Sequence, residues 1–134
     1  MSNPDHNSEF RQWAIFLHLS QLSGIVIPFG GIIVPIVIWQ MKKEEFPLLD
    51  QHGKMVVNWL ISSALYSVIG GLLMFIAILS AIYEVIGLVV VFAPIAGLVL
   101  ATVVGCSFVF PIIGSFKANG GKLWKYPLTL EILK

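Results

Sequence analysis

Charged side chains are scarce in this sequence: Asp, Glu, Lys and Arg together make up 11% of its 134 residues, whereas hydrophobic residues make up 57%. A soluble domain carries roughly 25% charged residues, so too few charges are present here to form a surface against water. The composition therefore predicts a single-domain integral membrane protein with the lipid bilayer as a partner. With a formal net charge of only +1, neither a nucleic acid nor an acidic substrate is expected.

Signatures of chemistry are equally scarce. The single cysteine, Cys106, lies in an apolar run, where a thiol packs as a small hydrophobic group. No glycine-rich phosphate loop, serine-centred nucleophile motif or metal-spaced cluster occurs. His18 has no histidine or carboxylate three or four residues away, so His18 and His52 are predicted to be hydrogen-bonded within the helix packing rather than to bind a metal. We therefore predict no catalytic, cofactor or metal site and no enzyme, with a lipid-acting enzyme as the alternative.

The few charges divide the chain into three apolar runs, at about residues 12–41, 55–83 and 85–116, between a polar tail at 1–11 and a basic interfacial tail at 117–134. Because about 20 apolar residues cross a bilayer as a helix, each run is long enough to span it. The runs do not alternate between apolar and polar residues as the strands of a membrane barrel do. The sequence therefore predicts an all-α, polytopic membrane protein.

The second and third runs are joined at Tyr83-Glu84. A charged residue in the middle of a bilayer costs about 2.5 kcal/mol or more. A turn at the interface avoids that cost, and a tyrosine suits the same depth. These two runs are therefore predicted to form an antiparallel transmembrane hairpin.

The first run is interrupted by residues that disturb a helix: Pro28, Gly30, Gly31 and Pro35. Proline removes a helix hydrogen bond and clashes with the preceding turn, and glycine adds backbone freedom. Two geometries fit this pattern. One is a single kinked span of about 29 residues. The other is a re-entrant hairpin whose helices, at 10–27 and 32–41, both return to one side of the membrane.

Lysines indicate the orientation of the chain. They lie in the first loop, at Lys42, Lys43 and Lys54, and in the tail, at Lys117, Lys122, Lys125 and Lys134. Cytoplasmic loops carry the excess of lysine and arginine, and two spans separate the loop from the tail, so both are predicted to be cytoplasmic. The expected location is the bacterial cytoplasmic membrane, with the carboxyl terminus inside. Arg11 alone does not decide between the kinked span and the re-entrant hairpin.

Polar side chains recur where the second run begins. The strip consists of Asp50, His52, Lys54, Asn58, Ser62 and Tyr66. Asp50 is expected to cap the helix, because its carboxylate can accept from free backbone N–H groups. Residues four apart, such as Lys54 and Asn58, are neighbours on one helix face. Two interpretations remain: an interfacial cap with a polar strip against other helices, or a site for a polar ligand or a moving ion.

Small residues recur every four positions on the second and third runs. They are Ser63, Ser67 and Gly71 on the second run and Ala93, Gly97, Ala101 and Gly105 on the third. Such stripes let helix backbones approach closely in lipid. They are predicted to serve helix packing, either inside the hairpin or on the face of a homo-oligomer.

The tail opens with Asn119-Gly120-Gly121, which is typical of a turn. Trp124 and Tyr126 stand beside lysines, a combination that suits the layer of lipid headgroups. The tail is therefore predicted to be an interfacial anchor, with a docking surface for another protein as the alternative.

An ordered set of motifs covers nearly the whole chain from Phe10 onward. The motifs are His18-Leu19-Ser20, Leu22-Ser23-Gly24, Pro28-Phe29-Gly30, Lys42-Lys43, Asp50-Gln51-His52-Gly53-Lys54, Lys117-Ala118-Asn119-Gly120-Gly121 and Tyr126-Pro127-Leu128-Thr129. In this order they resemble small bacterial membrane proteins grouped with the twenty-kilodalton subunit of the chloroplast inner-envelope protein-import complex. The resemblance implies an all-helical membrane protein of bacterial type without an established reaction, cofactor or catalytic residue.

Two functions follow as predictions. The first is a non-enzymatic component that acts through contacts with other membrane proteins or with copies of itself, in protein insertion, translocation or envelope maintenance. The second is an oligomeric channel or carrier for ions or small solutes, because broken helices in membranes often line cavities.

Overall fold

The computed structural model describes residues 4–134, and 80% of these residues are helical. The elements in chain order are α1 (Pro4–Leu19), a 3₁₀ helix (Ser20–Ile25), α2 (Gly30–Lys42), α3 (Pro47–Ile82) and α4 (Ile86–Asn119). Residues 120–134, called the strap below, follow α4 without helix or strand. No β-strand occurs between residues 4 and 134, which confirms the all-α prediction.

Two of the helices between residues 4 and 134 are long and apolar enough to cross a membrane. α3 has 36 residues and α4 has 34. At 1.5 Å per residue each is about 50 Å long, which exceeds the hydrocarbon core of about 30 Å. Both helices are compatible with the predicted membrane hairpin. α2 is apolar but has only 13 residues, so the first run does not supply a third helix of that length.

The chain falls into two compact units. The first comprises the residues up to Ile61 together with Ser107–Lys134, and the second is Ser62–Cys106. The first unit has a core of large side chains, and Leu17 and Trp59 in it are at most 2% exposed. The buried residues of the second unit are small: Ser62, Gly70, Ala77, Ser80 and Ala96.

Helices α1 and α2 form an antiparallel hairpin in the first unit. At one end, the Lys42 ammonium lies 4.7 Å from the centre of the Trp13 ring. At the other end, Gly31 lies against the Gln21 carbonyl. Phe29, with a φ of 62°, adopts a left-handed conformation just before α2 begins. The first run therefore has the geometry of a helical hairpin and not that of one kinked helix.

Of the residues predicted to break the first run, Pro28 lies in the interruption, whereas Gly30 and Gly31 are the first residues of α2. α1 ends at Leu19 and α2 begins at Gly30, so the interruption is wider than predicted, and Pro35 lies buried inside α2. A Cβ at Gly31 would overlap the carbonyl oxygen of Gln21. Glycine is needed there because the backbones of the two segments meet.

Helix α3 begins at Pro47, and proline suits the first helical position because it has no N–H group to leave unpaired. Asp50 therefore lies inside the first turn, and the prediction that it caps the helix is wrong. Its carboxylate instead accepts a hydrogen bond of 2.9 Å from Trp39 Nε1 and pairs with Lys54 at 2.7 Å. A Cβ at Gly53 would overlap the Trp39 indole, so glycine there permits the contact between α2 and α3.

The predicted turn between α3 and α4 forms at Tyr83–Glu84. Glu84 has a φ of 60°. The Val85 N–H donates to the Ser80 carbonyl at 2.8 Å, and the Glu84 N–H donates to the Ala81 carbonyl at 3.2 Å. This pair of hydrogen bonds is a Schellman motif, which ends a helix by satisfying its last carbonyls.

The two stripes of small residues lie largely on exposed surface. A Cβ built at Gly71, Gly97 or Gly105 would have no heavy atom of another described segment within 4 Å. The close approach in the second unit is at Gly70, where a Cβ would lie 2.8 Å from the Leu100 side chain. The other members are exposed, at Ser67 and Ala101, or partly exposed, at Ser63 and Ala93. Helix packing through these stripes stays a prediction.

Candidate functional site

Three distant segments of the first unit bring polar side chains together. His18 lies near the end of α1, His52 lies in the second turn of α3, and Tyr126 lies on the strap; each is at most 3% exposed. His18 Nδ1 lies 2.8 Å from the Tyr126 hydroxyl, and His18 Nε2 lies 3.0 Å from His52 Nδ1. These side chains, called the histidine–tyrosine cluster below, form one buried series of hydrogen bonds.

Gln21 indicates the direction of these hydrogen bonds. Its Nε2 donates to the Tyr126 hydroxyl oxygen at 3.1 Å. Burial raises the pKa of the Tyr126 phenol, so the phenol keeps its proton and donates to His18 Nδ1. His18 then donates from Nε2 to His52 Nδ1. With this assignment, the donors of Gln21, Tyr126 and His18 each have an acceptor within the cluster.

Aromatic rings enclose both ends of the cluster. The ring centres of Phe110 and Trp124 lie 5.2 and 5.3 Å from that of Tyr126. At the opposite end, the Phe10 ring lies edge-on to His52 at 5.8 Å. Hydrogen bonds in such a water-poor surrounding are stronger than in water, and an unpaired group there is costly. The enclosure therefore stabilises the cluster only while its hydrogen bonds stay paired.

Gly114 of α4 leaves space for the bond between His18 and Tyr126. A Cβ at this position would lie 2.8 Å from His18 Nδ1 and 2.9 Å from the Tyr126 hydroxyl. Both distances are shorter than a non-bonded contact of carbon with nitrogen or oxygen allows. Glycine at residue 114 is thus part of the cluster even though it contributes no side chain.

Asn58, which is 4% exposed, holds the strap on α3. Its Nδ2 donates to the Leu133 carbonyl at 2.9 Å. Its Oδ1 accepts from the backbone N–H groups of Ile132 at 3.2 Å and Leu133 at 2.7 Å. The Asn58 side chain therefore binds the end of the strap through its backbone groups.

The structure divides the predicted polar strip between the two units. The first unit contains Asp50, His52, Lys54 and Asn58, and the second contains Ser62 and Tyr66. In the first unit, Asp50 and Lys54 form an ion pair, His52 joins the cluster and Asn58 binds the strap. In the second unit, Ser62 is buried and Tyr66 is partly exposed. A ligand or ion site along the strip stays a prediction, as does the channel or carrier.

A sequence model of the magnetosome magnetite crystal formation protein family (MamF/MmsF) matches residues 9–133. The chain belongs to this family. The resemblance to bacterial relatives of the chloroplast import subunit is therefore wrong, and the import-like and translocation functions inferred with it are withdrawn. No curated protein and no solved structure matches the chain.

Membership of the MamF/MmsF family, together with two long apolar helices, makes this chain a small membrane protein in contact with lipid. Its oligomeric state and its orientation in the membrane stay predictions. Among residues 4–134, no three His, Cys, Asp or Glu side chains are grouped as a metal site requires. Since both ring nitrogens of His18 are already used in hydrogen bonds, the cluster is suited to joining α1, α3 and the strap.

Sequence patterns in this MamF/MmsF-family chain did not indicate that Tyr126 belongs to the cluster. Tyr126 was expected among lipid headgroups, but it is buried and is separated from His18 by 108 positions. Gln21 and Gly114 were not singled out either. The one available indication was the pair Trp124 and Tyr126, two large aromatic residues within a polar tail.

Proposed function

We propose that this chain is a non-enzymatic component of the magnetosome membrane that takes part in magnetite crystal formation through contacts with other membrane proteins. The observation that carries the proposal is the family match over residues 9–133.

In this proposal, the two units have different tasks. The second unit exposes large apolar side chains over most of its length, which suits contact with lipid or with an apolar helix of a partner. The first unit has a buried polar cluster and a bound strap, which suits a surface of fixed shape. The second unit therefore holds the chain in the membrane, while the first unit presents the surface that partners bind.

Deletion of the gene in a magnetosome-forming bacterium tests this proposal. We expect the size or shape of the magnetite crystals, measured by electron microscopy, to change, and the wild-type chain supplied in trans to restore them. Complementation with Gly114→Ala should fail, whereas Gly97→Ala on the same helix should succeed as a matched control. Unchanged crystals in the deletion strain would refute a role in crystal formation.

Contact with partners is tested separately by crosslinking in purified magnetosomes followed by mass spectrometry. The proposal requires other membrane proteins, or further copies of the chain, to be recovered with it. Recovery of an uncrosslinked monomer alone, from vesicles in which known neighbours do crosslink, would leave the contact hypothesis without support.

The proposed orientation has the first loop and the strap on the cytoplasmic side, because lysines are concentrated there. Single cysteines in a Cys106→Ala background test it on intact, purified magnetosomes, whose outer face is the cytoplasmic one. An impermeant thiol reagent should label Glu44→Cys and Lys122→Cys but should label Glu84→Cys only after detergent is added. The opposite pattern would invert the orientation. Ser8→Cys tests on which side of the membrane the first run begins. Labelling without detergent would place Ser8 on the cytoplasmic side, as a re-entrant hairpin requires.

A further inference from the structure

A cavity of about 210 Å³ in the first unit has no part in the proposed function. It lies between the first third of α3 and the strap, and apolar atoms form most of its walls. Three lysine side chains line it, those of Lys54, Lys125 and Lys134, against one side-chain carboxylate, that of Glu131. The cavity therefore combines an apolar interior with positive charge, a combination that suits a ligand with an anionic group and a hydrocarbon part.

These lysines are only partly neutralised by the chain itself. Lys54 pairs with Asp50 at 2.7 Å, and Lys125 pairs with Glu131 at the surface. The hydrogen bond from Lys125 and the charge of Lys125 lower the pKa of Glu131, and the charge of Lys134 contributes in the same direction. Lys134 has no ion pair of its own among residues 4–134. Among the side chains at the cavity, one positive charge, that of Lys134, is thus without an opposite charge.

Thr129 adds a hydrogen-bonding group that the described part of the chain does not use. The residue lines the cavity, and its hydroxyl oxygen is buried without a hydrogen-bond partner among residues 4–134. Buried polar groups are nearly always hydrogen-bonded, because an unpaired one is costly. An oxygen atom of an anionic ligand in the cavity would accept the hydrogen bond that the chain leaves unmade.

The position of the cavity along α3 indicates where such a ligand comes from. Lys54 is the last charged residue before the uncharged run that starts at Met55, and both residues line the cavity. This boundary is where a helix passes from the headgroup layer into hydrocarbon. The strap also exposes large apolar side chains, among them Leu128 at 59%, Leu130 at 44% and Ile132 at 51%. Exposed apolar groups beside lysines are typical of a segment that lies on an anionic lipid surface.

We propose that this cavity binds the phosphate group of an anionic phospholipid. Lys134 neutralises the phosphate, Lys125 adds positive charge beside it while paired with Glu131, Thr129 donates a hydrogen bond to one of its oxygens, and the first acyl carbons lie against the apolar wall. A zwitterionic lipid such as phosphatidylcholine binds more weakly, because its own ammonium group opposes the lysines. The strap is then fixed by Asn58 from the protein side and by lipid from the membrane side.

Native mass spectrometry of the delipidated full chain in detergent tests this proposal with dioleoyl phosphatidylglycerol and dioleoyl phosphatidylcholine as probes. The glycerol lipid should bind more tightly than the choline lipid. The double variant Lys125→Gln/Lys134→Gln should weaken its binding at least about tenfold, since each lysine near an anionic lipid contributes appreciably. The matched control Lys117→Gln/Lys122→Gln removes the same charge from the same tail outside the cavity and should change binding less than twofold. An equal loss of phosphatidylglycerol binding in both double variants would mean that any lysine of the tail attracts the anionic lipid. That result would overturn the proposed site.

A second variant and a second probe keep the test decisive. Thr129→Val has nearly the same shape and should weaken phosphatidylglycerol binding severalfold while the helical circular dichroism stays unchanged; unchanged lipid binding in this variant would overturn the site. Inorganic phosphate is the other probe. If millimolar phosphate alone displaces the lipid completely, the ligand is a free anion and the assignment to a phospholipid fails.

Discussion

The two units of this chain bury different kinds of residue. The first unit buries large aromatic and aliphatic side chains together with a connected polar cluster, whereas the second buries only small residues. In the second unit, Leu72 is 58% exposed, Val90 is 67% exposed and Leu98 is 70% exposed. A segment with so much exposed apolar surface is stable only when lipid or another apolar helix covers it. The first unit has the core of an ordinary folded domain, while the second obtains its apolar surroundings from outside the chain.

The difference follows from what lipid can and cannot supply. Lipid covers apolar side chains without any specific packing, so the helices of the second unit need little contact beyond that at Gly70. Lipid offers no partner to a histidine, a tyrosine hydroxyl or an asparagine amide. The first unit therefore encloses these groups and pairs them with one another. Substitutions of equal size should consequently have unequal effects in the two units.

The largest expected difference is between two glycines of α4. Gly114→Ala places a methyl group 2.8 Å from His18 Nδ1 and 2.9 Å from the Tyr126 hydroxyl. Overpacking and a broken buried hydrogen bond should together lower the free energy of unfolding by about 2–4 kcal/mol. Gly97→Ala meets no neighbour within 4 Å, and it should raise the free energy of unfolding by about 0.5–1 kcal/mol, because alanine favours helix.

Denaturant titration of both variants in the same detergent, followed by circular dichroism, measures the free energy of unfolding of each. Equal destabilisation by the two alanines would contradict the difference between the units, since Gly97 would then be packed as tightly as Gly114. A Tyr126→Phe variant provides the reference for the hydrogen bond alone, because it removes the hydroxyl and leaves the ring in place. It should be less destabilising than Gly114→Ala.

A smaller effect is expected where the first unit binds its strap. Asn58→Leu removes three hydrogen bonds to the backbone of Ile132 and Leu133. The strap should detach locally at a loss of about 2 kcal/mol, because each hydrogen bond contributes roughly 0.5–1.5 kcal/mol. Limited proteolysis should then cleave the strap at least tenfold faster, while α4 stays intact. Asn119→Leu, an exposed asparagine at the end of α4, should leave the cleavage rate unchanged. Equal cleavage rates in wild type and Asn58→Leu would show that other contacts hold the strap.

Features with a local cause were predictable from the sequence. The break around Pro28 and Gly31 follows from the backbone properties of proline and glycine, and the turn at Glu84 follows from the cost of a charge in lipid. The lengths of the apolar runs indicated α3 and α4 for the same kind of reason. The hairpin of α1 and α2 was one of two predicted geometries, and the choice between them needed the contact of Gln21 with Gly31.

The candidate site could not be predicted, because its partners are distant and unmarked. His18 and Tyr126 are 108 positions apart, and no spacing rule relates them. Asn58 binds backbone groups, which every residue has, so Ile132 and Leu133 show no sign of that role in the sequence. The incorrect family resemblance has a related cause. It relied on short motifs of glycine, proline and polar residues, which many small membrane proteins need at their turns and interfaces.

The smallest expected effect on the free energy of unfolding is at the helix ends of the two units. Both end in a Schellman motif with a residue at positive φ, Glu84 at 60° in the second unit and Gly121 at 70° in the first. A side chain in this conformation costs about 1 kcal/mol or more relative to glycine, so Glu84→Gly should raise the free energy of unfolding by about 1 kcal/mol and Gly121→Ala should lower it by a similar amount. A Cβ at Gly121 would come no closer than 3.6 Å to the Arg11 side chain, so that loss reflects the backbone and not a clash.

The variant Glu84→Gln separates charge from conformation, because it removes the carboxylate and keeps the strained backbone. It should leave the free energy of unfolding unchanged in the same denaturant titration. If Glu84→Gln stabilised as much as Glu84→Gly, the carboxylate and not the backbone would be the source of strain, and the two helix ends would then differ in electrostatics alone.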